Sequence, residues 1–227
     1  MQPTPEESSR ATRVLVDVDV QNDFCLPTGA LSVSGSPNDL YRKLVRFAEA
    51  EAIPIIGSVD SHAFDAWEFA SNENMGPNGE APRFPDHCVK GTPGWLKVAG
   101  TLPARFRFIP NVPGLDAERL ARELAAGGCS ALYFEKEVYS LFANPNAEAA
   151  VRELARGASP EFVVFGVATD YCVCAAALGF AKRGYRTVVL EDAVRGITEE
   201  GTRAAFAEMR EAGVRVTTTE EILTGAS

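Results

Sequence analysis

Hydrophobic positions alternate between two textures along this chain. Short runs rich in Val, Ile, Leu and Phe predict strands near 13–20, 53–59, 130–135, 161–168, 185–190 and 213–218. Between them, apolar residues recurring every three to four positions predict helices near 37–51, 116–126, 145–156, 171–183 and 199–212. Ser36-Pro37 is a helix start signal, and Gly127, Gly157, Gly184 and Gly213 follow the last helical residues as stop signals. Strand and helix in strict alternation favour an α/β fold of three layers, α/β/α, around a mainly parallel, doubly wound sheet. Ligands of such sheets bind beyond the C-terminal strand ends, where the strand order reverses.

Two stretches depart from the alternation. Residues 63–114 are rich in Gly and Pro, most turn-like at Met75-Gly76-Pro77-Asn78-Gly79, and so long a connection points to a functional or mobile loop. Within it, Arg105 to Ile109 reads as one additional short strand. Residues 1–12 hold Pro, Ser, Glu and Gln with no apolar stretch, which predicts a loose tail and no signal peptide. Residues 13–227 are expected to form a single domain, since 227 residues at 46% hydrophobic content suffice for one sizeable core.

Charge narrows the functional class. A net charge of −9 without clustered Lys or Arg argues against a nucleic-acid partner. No segment has the length of a membrane span. Five cysteines, an odd number without an export signal, fit a reducing compartment, so a cytoplasmic location is expected. Assembly into a homo-oligomer is left open.

Chemistry-bearing residues gather at the predicted strand ends. Asp19, Asp60, Lys136 and Cys172 all fall at or near strand C-termini, the rim of a shared crevice. Cys172 lies in Gly166-Val167-Ala168-Thr169-Asp170-Tyr171-Cys172-Val173, a strand, sharp turn and helix start that would place its thiol where the helix end charge favours thiolate. Most buried cysteines are inert, and Cys174 competes for the role. Two residues on along a helix, however, Cys174 points about 200° round the axis, so both thiols cannot face one site. Asp17 and Asp19 alternate onto one strand face, and Asp17, the deeper one, requires a hydrogen-bonding partner. An acid to take a proton, a lysine to balance charge and a thiol to attack form a workable covalent hydrolase. His62 and His87, the two histidines of the chain, fall in Asp60-Ser61-His62 and Asp86-His87-Cys88, which together offer a divalent-metal site.

Five segments carry a family resemblance: Asp19-Val20-Gln21-Asn22-Asp23-Phe24, Asp60-Ser61-His62, the stretch from Asp86 to Gly94, Lys136 with Tyr139-Ser140-Leu141-Phe142, and Gly166 to Val173. In this order they resemble the isochorismatase-like cysteine hydrolases, most closely the metal-containing nicotinamidases and pyrazinamidases. The resemblance implies Asp19, Lys136 and Cys172 as catalytic residues, with an oxyanion hole at the backbone N–H groups of Ala168 and Cys172 and a cis peptide between Val167 and Ala168. It implies one divalent ion (zinc, iron or manganese) on Asp60, His62 and His87. Glu68 is the leading fourth ligand and Glu73 the second choice. Phe24, Phe84 and Tyr139 would wall a flat aromatic substrate. The implied reaction is hydrolysis of nicotinamide to nicotinate and ammonia through a cysteine thioester, a step of NAD salvage. One departure keeps an alternative open. Only Glu137 and Val138 separate Lys136 from Tyr139, where nicotinamidases carry a longer insertion. A shorter segment occurs in relatives that hydrolyse carbamoyl, ureido or small aliphatic amides.

Overall fold

A computed structural model describes residues 13–72, 75–76 and 79–225. The segment 1–12 and Glu73 lie outside the described residues. In chain order the elements are β1 (Arg13–Val18), α1 (Asn22–Cys25), α2 (Asn38–Ala50), β2 (Ile55–Asp60), β3 (Phe106–Ile109), α3 (Ala117–Ala125), β4 (Ala131–Lys136), α4 (Ala147–Leu154), β5 (Glu161–Val167), α5 (Cys174–Ala181), β6 (Arg186–Arg195), α6 (Glu199–Glu211), β7 (Arg215–Thr217) and α7 (Thr219–Thr224). A 3-10 turn (Leu141–Ala143) precedes α4, and a π-helical turn (Thr169–Val173) precedes α5.

The seven strands form one sheet in the order β3-β4-β2-β1-β5-β6-β7, and every neighbouring pair is parallel. Strand alternation divides the core. Val14, Val16 and Val18 of β1 pack on one side with Leu120 of α3, Ala150 of α4, Phe180 of α5 and Met209 of α6. Leu15 faces the other side with Tyr41 and Leu44 of α2 and Ile222 of α7. Helix α2 buries Tyr41, Leu44, Val45 and Ala48, an i, i+3, i+4, i+7 stripe. The sheet is therefore covered on both faces, as the alternation predicts.

Helix boundaries follow local chemistry. Asp116 and Thr198 cap α3 and α6 by accepting from the N–H groups of Arg119 and Gly201. Gly127, Gly157, Gly184 and Gly213 all hold positive φ just after helices, as stop residues should. The sheet is tightest beside the future site. At Gly166 (φ 122°) a Cβ would come within 2.0 Å of the Val18 carbonyl oxygen, so only glycine lets β5 lie this close to β1.

Three features depart from the periodicity. Strand β6 runs to Arg195, beyond the expected end near 190, after a register shift opposite Val164 and Gly166. Helix α7 has only six residues, too few to show periodicity. The expected helix 171–183 begins instead as the π-helical turn, so Cys172 sits in that turn ahead of α5.

Candidate active site

Reversal of strand order around β1 brings four strand ends side by side. Asp19 directly follows β1, Asp60 ends β2, Lys136 ends β4, and Cys172 follows β5 by one turn. Asp60 and Lys136 are register partners across β2 and β4. Asp19 adopts φ 49°, a left-handed conformation that Asp tolerates better than most side chains.

Lys136 is the hub. Its Nζ, fully buried, lies 2.8 Å from Asp19 Oδ2, 2.6 Å from Asp60 Oδ1 and 3.6 Å from Cys172 Sγ. Asp19 Oδ1 accepts a hydrogen bond from Ser58 Oγ at 2.8 Å. Asp19 Oδ2 carries the ion pair with Lys136 and is buried with no other hydrogen-bond donor. Burial alone would drive Lys136 toward neutrality, yet Asp19 and Asp60 overrule it and hold its pKa well above the usual lysine value.

Cys172 behaves differently from the sequence expectation. Burial raises its pKa well above the ordinary thiol value, Lys136 pulls it down, and Asp19 and Asp60 push it up again. Desolvation and the two carboxylates thus act against the lysine and hold the thiol pKa up. Cys174 faces away, its Sγ 3.9 Å from Glu208 Oε2, with burial first and then Glu208 raising its pKa to about 11.

Beside the hub, Asp60 Oδ2 lies 3.6 Å from His62 Nε2 and 3.7 Å from His87 Nε2. Glu68 Oε1 lies 3.0 and 3.4 Å from the same two nitrogens. Asp60, His62 and His87 each direct a ligand atom to one place, all within 4.8 Å of one another. All four side chains are buried. His62 Nε2 is buried without a hydrogen-bond partner, and His87 Nδ1 is 2.8 Å from the Pro85 carbonyl oxygen, which leaves its Nε2 directed inward. A lone pair so oriented, among carboxylates and a second imidazole, suits a divalent cation. Burial raises the Asp60 pKa, but Lys136 and the two imidazoles overcome it and hold the group well below the carboxylate range.

These groups open onto a pocket of about 470 Å³, counting the solvent at its mouth. Cys172, Asp60, Glu68 and His87 form its floor, and Phe24, Phe84, Tyr139 and Tyr171 its aromatic walls. Phe24 and Phe84 pack on His87 with ring centroids 5.4 and 6.0 Å apart, and Tyr139 packs on Tyr171 at 5.2 Å. Among the described residues, neither Lys nor Arg lines the pocket. The peptide between Val167 and Ala168, which also line it, is cis.

The sequence matches the family model described as Isochorismatase domain over residues 13–221. The chain belongs to the isochorismatase family. This isochorismatase-family chain is 30% identical over 207 residues to the nicotinamidase/pyrazinamidase of Mycobacterium tuberculosis, covering 90% of its own length and 97% of the relative. Its fold is similar to the pyrazinamidase of Pyrococcus horikoshii solved in complex with zinc, with TM-score 0.65, 26% identity and coverage of 91% and 99%. It is also similar to PnC1 from L. infantum in complex with nicotinate, with TM-score 0.65, 25% identity and coverage of 92% and 94%.

Isochorismatase-family motifs here do more than supply side chains to the pocket. Gln21 accepts from the Asp60 N–H at 2.8 Å and donates to the carbonyl oxygens of Asp60 and Trp95, each at 2.9 Å. It brackets a candidate metal ligand by its backbone. Asp23 accepts from the Cys88 N–H at 2.8 Å and the Ala30 N–H at 3.0 Å, fixing the residue after His87. Asp170 accepts from the N–H groups of Ile197 and Thr198, joining the turn that carries Cys172 to another stretch of pocket wall. Asp17 finds its partner in Lys97, with Oδ1 2.6 Å from Nζ. Ser58 and Tyr171 escaped the sequence reading: one is a polar residue within an apolar run, the other a tyrosine inside a motif read for its cysteine.

Proposed function

We propose that this protein hydrolyses nicotinamide to nicotinate and ammonia. The observation that carries the reading is the joining of two arrangements in one pocket: Asp19, Lys136 and Cys172 on one side, and Asp60, His62, His87 and Glu68 on the other. Aromatic walls suit a flat ring. Relatives that share the fold are named for nicotinamide and pyrazinamide, and one is solved with nicotinate.

Each step assigns a proton. As Sγ of Cys172 attacks the amide carbon, its proton passes to Asp19, whose Oδ2 has no other hydrogen-bond donor. Electrons of the carbonyl move to oxygen, which the backbone N–H groups of Ala168 and Cys172 stabilise. The N–H groups of Tyr171 and Val173 both donate to the Ala168 carbonyl oxygen, each at 3.1 Å, so neither competes for that charge. Collapse of the adduct breaks the C–N bond, and the proton on Asp19 leaves with the nitrogen as ammonia. Water then gives a proton to Asp19 and adds to the thioester, and the sulfur departs with that proton. Lys136 stays a cation throughout and holds Asp19 in place. Asp60, His62, His87 and Glu68 would hold a divalent ion whose chemistry is to orient the ring nitrogen. The reading places the protein in the cytoplasm, in NAD salvage, as one domain from residue 13 onward.

The alternative is a family amidohydrolase for carbamoyl, ureido or small aliphatic amides, which the short Lys136–Tyr139 spacing favours. A ureido acid, however, would bring a carboxylate into a pocket lined by Asp60, Glu68 and Glu137, with no Lys or Arg among the described lining residues to receive it. Ammonia release from nicotinamide, pyrazinamide, benzamide and a ureido acid tests the proposal. Nicotinamide and pyrazinamide should react, with benzamide about a hundredfold slower for lack of the ring nitrogen. Equal efficiency on benzamide or the ureido acid would transfer the assignment to the alternative.

A further inference from the structure

Beneath the pocket lies a second buried ion pair that the chemistry above does not use. Asp17 of β1 and Lys97 both have side chains 0% exposed, with Nζ 2.6 Å from Oδ1. Tyr133 of β4 completes the group: its hydroxyl donates to Asp17 Oδ2 at 3.4 Å, and its ring centroid lies 4.7 Å from the lysine Nζ. None of the three lines the pocket. Removing two charges from water is costly, and a well-packed apolar pair is often as stable, so stability alone does not explain them. What ion pairs of this kind can supply is register.

The segment held by Lys97 leads directly to the candidate metal site. Its main chain runs antiparallel beside the residues after β1: Lys97 bridges Gln21, the Asn22 N–H donates to the Leu96 carbonyl at 2.9 Å, and the Val98 N–H to the Val20 carbonyl at 3.1 Å. Gln21 brackets the Asp60 backbone and reaches the Trp95 carbonyl, while Trp95 Nε1 donates to Ser61 Oγ at 2.6 Å. A slip of one residue would take Lys97 from Asp17 and the Trp95 carbonyl from Gln21 together. Asp60 is sensitive to such a slip because one oxygen meets Lys136 and the other faces both histidines.

We infer that Asp17 and Lys97 are a positioning pair, which sets the register of residues 94–98 against the end of β1 and so orients Asp60. The inference rests on the metal-site reading for its ligand but not for its geometry. Single variants strand a buried charge and can fail to fold, so two double variants are compared. Asp17→Leu with Lys97→Met replaces the pair by apolar groups. Asp17→Asn with Lys97→Gln keeps a directional contact without charge. Two quantities are read in chelator-treated protein: zinc affinity by chelator competition, and hydrogen exchange of the Asp60 amide, which needs no metal. The apolar variant should fold, bind zinc about tenfold or more weakly and exchange that amide faster, since groups supporting a ligand typically carry 10- to 100-fold in affinity. The amide variant should stay within about threefold of wild type on both readouts. Wild-type protection of the Asp60 amide in the apolar variant, or equal loss of it in both, would overturn the pair's role. Failure of zinc to bind wild-type protein would instead refute the metal-site reading, with amide exchange still deciding the positioning role.

Discussion

Replacing Lys136 by Met removes the cation from between two carboxylates and a thiol while keeping much of the side-chain volume. Lys136 Nζ touches Asp19 at 2.8 Å and Asp60 at 2.6 Å, and neither the lysine nor Asp19 has an exposed side-chain surface. Breaking a buried pair typically costs about 3–5 kcal/mol. Two pairs share one cation here, so the loss should lie at the upper end of that range without doubling. Its pH dependence follows from Asp60, whose folded pKa is depressed below the unfolded value of 3.8. In wild type that depression contributes stability above the unfolded pKa, lost as pH falls through the lower folded value. Without the lysine, only the two imidazoles oppose burial at Asp60, so its pKa should rise and the variant's stability deficit should shrink as pH falls from 8 toward 5. Urea denaturation of both metal-free proteins across that range measures the difference. A deficit below about 1 kcal/mol at pH 8, or one that does not shrink on acidification, would refute the hub described for Lys136. Activity should fall by about three orders of magnitude or more in Lys136→Met, since groups acting as a unit fail together.

Other outcomes follow from the same geometry. Cys172→Ala should abolish ammonia release, whereas Cys174→Ala, whose thiol faces Glu208, should keep activity within about twofold of wild type; similar losses in folded protein would reverse the assignment. Purified protein should carry about one divalent ion per chain by elemental analysis, and His62→Ala or His87→Ala should lose it. Glu68→Gln should bind that ion about tenfold more weakly in competition with a chelator; unchanged affinity would remove Glu68 from the ligand set. Gln21→Ala should weaken ion binding without touching the ion, because the Asp60 peptide loses both brackets.

How far the sequence could be read depended on how local the cause was. The strands ending at Asp60 and Lys136 announce themselves by short, largely apolar runs, and the helix stops at Gly127 or Gly213 need only a positive φ. Glu68 was reachable only because the family resemblance directed attention to the loop after His62. Spacing alone does not separate it from other carboxylates there. The partners Asp17 and Lys97 are 80 residues apart, and nothing in the periodicity of either segment pairs them. The upward pull on the Cys172 pKa was out of reach for a similar reason. A helix end is visible in sequence, but the burial and the two carboxylates that oppose it depend on other strands, Asp19 following β1 and Asp60 ending β2.

The excursion between β2 and β3 has its own internal fastening. His62 and Val89 form a parallel bridge at its neck, Phe69 and Phe84 form another further out, and Asp23 seizes the backbone just inside the return limb. The described residues beyond the second bridge hang from that neck as a cassette. Its length and sequence can drift while Asp60, His62 and His87 keep their places, since the neck is held by β1 and its successor residues. Entropy penalises such drift weakly, as doubling a loop costs only about 0.6 kcal/mol. Insertions and deletions beyond Phe69 and Phe84 can thus be absorbed without renegotiating the geometry in which bonds are broken.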